Sequence, residues 1–381
     1  MLGGVVKLAL LCCWSNMRIY PIYSSNLRAA IERLTGEPVA VLTTNCMCFN
    51  RNNPVPQEFD LIGLPYFTRR ASSSKTKNLV KRYLYGPNEA MRGRLLSSRS
   101  DAYDVIDFQQ SSYAFGYESL KSLLEHRSRA KKVVTIHKLD EIQKLRPEVN
   151  TIYNRADAII VFSDEMKKIM VDYGVRDGLV SVIRHGTSIP PLESVTNDQA
   201  ILFCGSPIPK VKGFEHYVVA LRMLSERGIR LKTKIYGFFE TDEKEYALDL
   251  AAQQGVQGLL EWQSFANEDE LNAEYQKSLV CVIPYTGYGG YFPAAHAMGN
   301  GVPIVATDIL GHAEYASGCG LLVPPGDAEA LASAIERLVS DESLRRMYGS
   351  AGRARAEQDL SWDAVASKTV EVFQTILKKD G

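Results

Sequence analysis

Three loops in the second half of the chain carry glycines directly after apolar runs, and the first and third of them also carry charged side chains. The first, residues 205–213, contains Lys212, whose ammonium group could pair with a phosphate. The second, residues 284–291, has three glycines that leave backbone amides unobstructed, as the cradling of a diphosphate requires. The third, residues 307–314, ends at Glu314 near a helix start. Together the loops predict an anion-binding site.

The elements that must position these loops follow from an alternation of short apolar runs with longer amphipathic stretches. This alternation is typical of a parallel sheet covered by helices on both faces, where ligands bind outside the carboxyl ends of the strands. A Pro- and Ser-rich stretch at 185–199 predicts a linker between two such domains. The predicted strands are 5–13, 39–43, 105–108, 132–136, 158–162, 180–183, 200–204, 231–236, 259–262, 279–283, 303–306 and 320–323. The predicted helices are 26–34, 118–126, 164–173, 214–226, 241–253, 269–277, 291–298, 327–340 and 361–378.

Length and composition exclude several classes of protein. A chain of 381 residues suits two domains, and its net charge of zero, without a nucleic-acid motif, argues against a nucleic-acid partner. The apolar run at 5–13 is too short to span a bilayer and predicts a first buried strand. Seven cysteines without CxxC spacing indicate reduced thiols in a cytoplasmic protein. Cys46 and Cys48 lack a second pair nearby, so we expect no metal site.

Residues 69–99 form a basic segment in which nine Lys and Arg residues face a single acid, Glu89. Aromatic side chains are interleaved with these charges, which would suit a lipid phosphate or an anionic glycan at a membrane surface. A solvated loop and helix face is the alternative reading. The segment predicts a possible peripheral contact with the inner face of a membrane.

One block of sequence is more specific than these patterns. It runs AMGNGVPIVATD over 297–308, continues through Gly311 and Glu314, and closes with GLLVPPGD over 320–327. VTIH at 134–137 and Lys212-Gly213 support it. These residues resemble the retaining GT-B glycosyltransferases of family 4, over most of the chain from 132 to 377.

The resemblance implies an α/β GT-B fold, in which two Rossmann-like, doubly wound domains face a central cleft. The N-terminal domain, 1–187, would bind the acceptor, and the C-terminal domain, 188–360, would bind the nucleotide sugar. The last segment, 361–381, would form a helix that packs back on the N-terminal domain.

The resemblance also implies roles for single residues. Lys212 would neutralise the donor's diphosphate, and His137 would touch the transferred sugar next to its anomeric carbon. The implied donor-binding residues are Gly205, Ser206, Lys210, Lys212, Ser264, Phe265, Gly287, Tyr288, Gly289, Gly290, Tyr291, His296 and Glu314. The implied acceptor-binding residues are Ser24, Ser25 and Gln109. No cofactor and no metal are implied.

The chain departs from the family pattern at the donor site. The family's two glutamates, eight positions apart, align with Tyr288 and His296, and its usual arginine aligns with Ser206. Lys210 could replace the arginine, and Tyr288 or His296 could hydrogen-bond hydroxyl groups. Front-face retaining transfer depends on positioning and charge stabilisation more than on a protein base, so these losses are compatible with activity.

The sequence therefore predicts transfer of a hexosyl unit from a nucleoside diphosphate sugar to a glycan or lipid-linked acceptor, with retention. A catalytically silent homologue that binds a partner or a nucleotide is the alternative. A nucleotide-sugar epimerase would need a pair of acid/base carboxylates, and the candidates Asp107, Asp140 and Glu314 form no obvious pair.

Overall fold

The computed structural model describes most of the chain. The described residues are 6–14, 19–45, 60–61, 94–95, 97–110, 117–137, 152–192, 200–204, 210–236, 241–263, 267–287, 289 and 291–379. They form two compact units, one from residues 1–184 with 362–381 and one from 185–361. The chain thus leaves its first unit, completes the second, and returns for its last helix.

The strands alternate with helices in both units. The strands are β1 (Leu8–Trp14), β2 (Val39–Asn45), β3 (Asp60–Leu61), β4 (Val105–Gln110), β5 (Lys131–Ile136), β6 (Ala158–Val161), β7 (Val180–Val182), β8 (Ala200–Cys204), β9 (Lys232–Tyr236), β10 (Leu260–Gln263), β11 (Ser278–Ile283), β12 (Ile304–Thr307) and β13 (Gly320–Val323). The helices are α1 (Ile19–Thr35), α2 (Tyr117–Glu125), α3 (Asp164–Asp172), α4 (Phe214–Glu226), α5 (Thr241–Gln253), α6 (Glu268–Lys277), α7 (Tyr291–Gly299), α8 (Leu310–Ala316), α9 (Ala328–Ser340), α10 (Glu342–Arg355) and α11 (Trp362–Lys378).

The first unit is built on a parallel sheet whose order, among the described strands, is β3-β2-β1-β4-β5-β6-β7. Strands β5 and β6 of this sheet are buried along nearly their whole length, as expected for a parallel sheet with helices on both faces. Helix α11 packs against α1, where the Tyr23 and Trp362 rings lie 5.2 Å apart. An exposed ion pair between Arg33 and Asp363 joins the same two helices. The final helix therefore belongs to the first unit.

The second unit repeats this plan with the parallel order β10-β9-β8-β11-β12-β13. Its core contains the aromatic side chains of Phe203, Phe214 and Tyr217, with Phe203 and Phe214 in edge-to-face contact at 5.6 Å. The strand order reverses between β8 and β11. Parallel sheets of this kind bind ligands at such a reversal, outside the carboxyl ends of the strands.

The predicted elements agree with the observed ones to within a few residues, apart from four cases. Helix α1 begins at Ile19, seven residues before the prediction, and helices α8 and α10 and the short β3 were not predicted. Helix α10 has a low apolar content and contains Gly349 and Gly352, which lower helix propensity, yet both glycines are buried by tertiary packing. Among the described residues, no helix combines the length and apolar composition needed to cross a membrane.

The N-terminus of α9 is capped by the side chain of Asp327. Asp327 Oδ1 accepts a hydrogen bond from the backbone N–H of Ala330 at 2.9 Å. This bond satisfies one of the backbone donors that the first helical turn leaves without a partner.

We predict that Asp327→Ala lowers the free energy of unfolding by about 1 kcal/mol, because the capping bond is lost. Asp327→Asn keeps an accepting oxygen and should retain most of this stability. Urea denaturation of the two variants and the parent protein measures the difference. An alanine variant as stable as the asparagine variant would show that the cap contributes little.

Candidate functional site

The carboxyl ends of β8 and β11 hold the predicted phosphate-binding residues of the second unit. Lys212 lies in a 3₁₀ turn, Lys210–Lys212, directly before α4. Gly287 and Gly289 lie between β11 and α7. The side chain of Lys210 is outside the described residues, as are six other predicted donor ligands: Gly205, Ser206, Ser264, Phe265, Tyr288 and Gly290.

The loops after β8 and β11 contact each other through their backbones. The N–H of Thr286 donates to the carbonyl of Val211 at 2.9 Å. Gly213 has a left-handed φ of 66°, and a Cβ on it would lie 1.8 Å from the carbonyl oxygen of Pro284. Only glycine allows both the conformation and the close approach. The family-like Lys-Gly pair therefore places Lys212 directly beside the glycine-rich loop.

Lys212 is held over an aromatic ring at this junction. Its Nζ lies 3.8 Å from the centroid of the Tyr285 ring, in cation–π geometry. Tyr285 is buried, and its hydroxyl donates to the carbonyl of Cys204 at 3.2 Å. Burial raises the pKa of the Tyr285 phenol well above its usual range, so the ring stays neutral under the lysine.

The third predicted loop joins the first two through Thr307 and His312. Thr307 Oγ1 donates to the carbonyl of Tyr285 at 2.5 Å and lies 2.9 Å from His312 Nε2. His312 Nδ1 lies 2.9 Å from the carbonyl oxygen of Gly289. Burial, with a smaller contribution from the nearby Lys212 charge, lowers the pKa of His312 to about 4, while the Gly289 hydrogen bond opposes the shift. At neutral pH His312 is therefore uncharged, and it holds the glycine loop through its contact with Gly289.

Two further predicted donor residues lie on the elements that follow these loops. Tyr291 begins α7, is nearly buried and packs against the ring of Tyr315 at 5.6 Å. Glu314 lies on α8, next to Tyr315, and is half-buried. The structure thus brings Lys212, Gly287 and Gly289 together, with Tyr291 and Glu314 on adjoining helices.

His296, at the position of a family glutamate, is part of the core of the second unit. Helix α7 is buried along its whole length, and only 1% of His296 is exposed. Its ring stacks on Phe292 with centroids 4.1 Å apart, and its Nδ1 lies 3.3 Å from Thr187 Oγ1. Its Nε2 lies 3.4 Å from Glu268 Oε1. These are packing contacts, and binding of a donor hydroxyl by His296 stays a prediction.

In the first unit, His137 follows β5 and is nearly buried between aromatic rings. Tyr23 lies edge-on to it with centroids 4.9 Å apart, and Phe162 lies 5.0 Å away. Gln109, near the end of β4, is also buried and contacts His137. The predicted catalytic histidine is therefore held rigidly by three different elements of one unit.

The predicted acceptor-binding residues are more buried than a direct contact with an acceptor would suggest. Ser24 is completely buried, and Gln109 is only 2% exposed. Ser25, on the same helix as Ser24, is half-buried. Direct contact of these three side chains with an acceptor stays a prediction.

Several side chains of the site were not singled out from the sequence. Tyr285, Thr307 and His312 connect the three loops, and Thr187 and Glu268 surround His296. Tyr285, Thr307 and His312 lie within the three loops chosen from the sequence, but nothing in their spacing indicates contacts between loops. In the described part of the chain no cluster of His, Cys, Asp and Glu could hold a metal ion.

Asp107 on β4 is the acidic side chain at the centre of the first unit. It accepts hydrogen bonds from Thr135 Oγ1 at 2.8 Å and from Gln109 Nε2 at 2.7 Å. Burial raises the pKa of Asp107 to about 7, and the hydrogen bonds from Thr135 and Gln109 only partly oppose this shift. A carboxyl with no exposed surface cannot exchange protons with a substrate directly, which argues against the epimerase alternative.

We predict that Asp107→Asn changes the pH dependence of folding. The unfolded chain releases the Asp107 proton near pH 4, whereas the native protein retains it up to about pH 7. The native state binds more protons in this window, so the carboxyl makes the free energy of unfolding fall as the pH rises. The free energy of unfolding of Asp107→Asn minus that of the parent protein should therefore increase between pH 4.5 and 7.5.

Urea denaturation at four pH values and constant ionic strength measures this difference. The exposed Asp172→Asn variant in the same unit is the control and should follow the parent protein. Parallel curves for the parent and Asp107→Asn would contradict the assignment of a raised pKa to Asp107.

We predict that Gly213→Ala lowers the free energy of unfolding by about 3 kcal/mol or more, because the new Cβ collides with the Pro284 carbonyl. Gly228 is a matched control, since its φ is 82° and nothing lies within 4 Å of an added Cβ. Gly228→Ala should lower the free energy of unfolding by about 1–2 kcal/mol, the cost of the left-handed backbone conformation alone. Urea denaturation of both variants compares the two effects, and equal losses would rule out the collision.

Comparison with known proteins places the two units in one family. The first matches the profile described as Glycosyltransferase Family 4 over residues 39–189, and the second matches Glycosyl transferases group 1 over 198–341. An MMP α-(1→4)-mannosyltransferase from Mycolicibacterium hassiacum is 28% identical over 58% of this chain and 55% of its own. The capsular polysaccharide biosynthesis glycosyltransferase CapM of Staphylococcus aureus is 25% identical over 59% of this chain and 63% of its own. The chain spans about half the length of the curated relatives it matches.

Solved structures confirm the predicted fold class. Sucrose-phosphate synthase from Thermosynechococcus elongatus has a TM-score of 0.76 at 19% identity, covering 98% of this chain and 100% of its own. Anabaena Alr3699/HepE, solved in complex with UDP, has a TM-score of 0.72 at 16% identity, covering 97% of this chain and 100% of its own. With both units matched by profiles and the fold shared with these enzymes, the chain belongs to the GT-B glycosyltransferases of the family 4 type.

Proposed function

We propose that this chain transfers a hexosyl unit from a nucleoside diphosphate sugar to a hydroxyl group of a glycan or lipid-linked acceptor, with retention of configuration. The observation that carries the proposal is the position of Lys212. Its ammonium group is fixed over Tyr285, beside the glycine loop at the strand reversal of the second unit. A diphosphate needs a positive charge next to backbone amides, and Lys212 beside Gly287 and Gly289 supports such a site.

The named relatives support a sugar-transfer reaction of this class. One is a mannosyltransferase, another acts in capsular polysaccharide biosynthesis, and Anabaena Alr3699/HepE is described in complex with UDP-glucose. The mannosyltransferase and the UDP-glucose complex name two different sugars. The nature of the hexose and of the nucleobase is therefore left to experiment.

Charge stabilisation in the proposed donor site depends on few groups. His312 is neutral because burial lowers its pKa to about 4, and His296 is enclosed in the core. Lys212 would then carry the main positive charge toward the departing diphosphate. Such a site favours a front-face mechanism, in which the leaving diphosphate assists deprotonation of the acceptor hydroxyl. In this mechanism the protein contributes by positioning the reactants.

The catalytically silent alternative makes a different prediction for binding. A silent homologue that binds only a partner would not be stabilised by any nucleotide, whereas one that still binds a nucleotide would be stabilised but would form no product. A cytoplasmic location and peripheral membrane contact through residues 69–99 are further proposals. Most of that basic segment lies outside the described residues.

We predict that one of UDP, GDP and ADP, or one of their sugars, raises the melting temperature of the protein, because ligands that bind only the native state stabilise it. Lys212→Ala should weaken that nucleotide's affinity about tenfold to hundredfold, as expected for the loss of one charge-assisted contact. A thermal-shift screen identifies the nucleotide, and isothermal titration calorimetry measures the affinity.

Lys232→Ala is the control variant. Lys232 lies at the amino end of β9, the opposite edge of the same sheet, and forms an exposed ion pair with Glu261. It should bind the nucleotide like the parent protein. No response to any nucleotide would favour the silent scaffold, and equal losses in the two variants would refute the role of Lys212. If a nucleotide sugar binds, NMR of the glycoside product determines whether the configuration is retained.

A further inference from the structure

A chain of three polar contacts runs through Thr307 and His312 to the glycine loop of the second unit. Thr307 Oγ1 donates to the carbonyl of Tyr285 at 2.5 Å and lies 2.9 Å from His312 Nε2. His312 Nδ1 lies 2.9 Å from the carbonyl oxygen of Gly289. The side chains of Thr307 and His312 are buried. Solvent therefore cannot replace a partner that this chain lacks.

A neutral His312 leaves the chain one proton short. Each of the three contacts needs one proton, whereas a neutral imidazole supplies one N–H and the Thr307 hydroxyl supplies one O–H. If Nδ1 carries the ring proton, the hydroxyl can satisfy either the Tyr285 carbonyl or Nε2. If Nε2 carries it, the lone pair of Nδ1 faces the Gly289 carbonyl. An imidazolium has both N–H groups and satisfies all three contacts at once.

Burial and a nearby charge keep the ring neutral in the free protein. Burial lowers the pKa of His312 to about 4, and the Lys212 charge contributes to this shift, while main-chain hydrogen bonds of Gly289 and Thr307 oppose it. Lys212 Nζ lies 3.8 Å from the centroid of the Tyr285 ring, and that ring lies 5.8 Å from the ring of His312. The same Nζ would lie 3.7 Å from a Cβ placed on Gly289. The charge at the proposed diphosphate site thus affects the protonation of His312.

Other ionisable groups surround His312 as well. Helix α8 packs against α7, β12 and β13, and the two strands carry no ionisable side chain. The ionisable side chains on α7, on α8 and in the adjoining loops include Tyr285, Tyr291, His296, Asp308, Glu314 and Tyr315. In the described part of the chain, the charge that changes the pKa of His312 is that of Lys212. An experiment on His312 needs a control for His296, because both are histidines.

A bound diphosphate would reverse the effect of Lys212. Its negative charges would pair with the ammonium group and lie beside the glycine loop. Negative charge at this distance favours the protonated form of a histidine, so binding would raise the pKa of His312. The proton gained in this way is the one that the chain of contacts lacks.

We propose that His312 is a positioning residue that takes up one proton from solvent when the diphosphate of the nucleotide sugar binds, so that its imidazolium holds Gly289 and Thr307 at the same time. The proposal rests on the proposed function, because the bound diphosphate supplies the negative charge. Lys212 remains the group that faces the diphosphate, and His312 acts from behind the glycine loop without contacting the ligand.

The proposal links donor affinity to pH with a definite sign. The complex binds more protons than the free protein, so the affinity for the nucleotide sugar rises as the pH falls through the pKa of His312 in the complex. The rise ends near the pKa of His312 in the free protein, about 4. A donor site without this coupling has no such dependence on pH.

Isothermal titration calorimetry measures the proton directly. The probes are UDP-glucose, GDP-mannose and ADP-glucose, of which the one that raises the melting temperature is used. The diphosphate of each is esterified at both ends and has no proton that titrates between pH 5.5 and 8. Titrations at pH 6 in two buffers of different ionisation enthalpy should show uptake of about 0.3–1 proton per ligand, and the affinity should rise about threefold to tenfold from pH 7.5 to 5.5.

His312→Asn is the variant that tests the assignment. It keeps an N–H group close to the position of Nδ1 but cannot be protonated, so it should bind the nucleotide sugar without proton uptake and with an affinity that does not rise at low pH. Uptake by His296 would persist in this variant. No uptake by the parent protein, or equal uptake by parent and variant, would overturn the proposal.

A second pair of variants serves if His312→Asn folds poorly. Thr307→Val removes the hydroxyl that faces Nε2 and should reduce the proton uptake, whereas Thr307→Ser keeps the hydroxyl and should retain it. Equal uptake by these two variants would contradict the role of the Thr307 contact.

A measurement without ligand separates the coupling from the proposed function. Lys212→Met removes the charge but keeps an unbranched side chain, so it should raise the pKa of His312 above that of the parent protein. The chain has six histidines, and a ¹H–¹⁵N titration of ¹⁵N-histidine-labelled protein, assigned with His312→Asn, follows the ring. An unchanged pKa would overturn the coupling. A protein that binds none of the nucleotide sugars would refute the proposed function and the proton uptake with it, and this titration would still decide whether Lys212 controls His312.

Discussion

The proposed donor site depends on the contact between the backbones of the loops after β8 and β11. Parallel pairing brings the carboxyl ends of these strands to one edge of the sheet, so their loops must pass each other closely. Gly213 makes this possible by leaving room for the carbonyl of Pro284, and the Thr286–Val211 hydrogen bond fixes the register of the two loops. The positions of Lys212 and of the glycine loop both follow from this contact.

The two units immobilise their polar side chains by different physical means. Lys212 lies over a neutral aromatic ring, which holds its ammonium group by a cation–π contact. His137 is held by a hydrogen bond with Gln109 and by edge-on aromatic rings, which together restrict the plane of its imidazole.

The departure from the family pattern at His296 has a structural consequence. Every residue of α7 is buried, and His296 fills its position by stacking on Phe292 and approaching Thr187 and Glu268. A side chain enclosed in this way contributes to packing of the second unit more directly than to a ligand. The proposed donor site therefore relies on Lys212 and on backbone groups.

The sequence by itself determined the succession of strands and helices, because burial on both faces leaves apolar runs such as β8 and amphipathic patterns such as α4. It also indicated Lys212 and the glycine loop, which lie in loops that follow strands, and His137 through the resemblance to family 4. It did not reveal Tyr285 under Lys212, His312 on Gly289, or Gln109 and Asp107 behind His137. Those contacts join residues on different strands and loops, and hydrophobic periodicity reports which face of an element is buried, not which side chains meet. Only the tertiary structure decided them, through strand order and the close approach of loops.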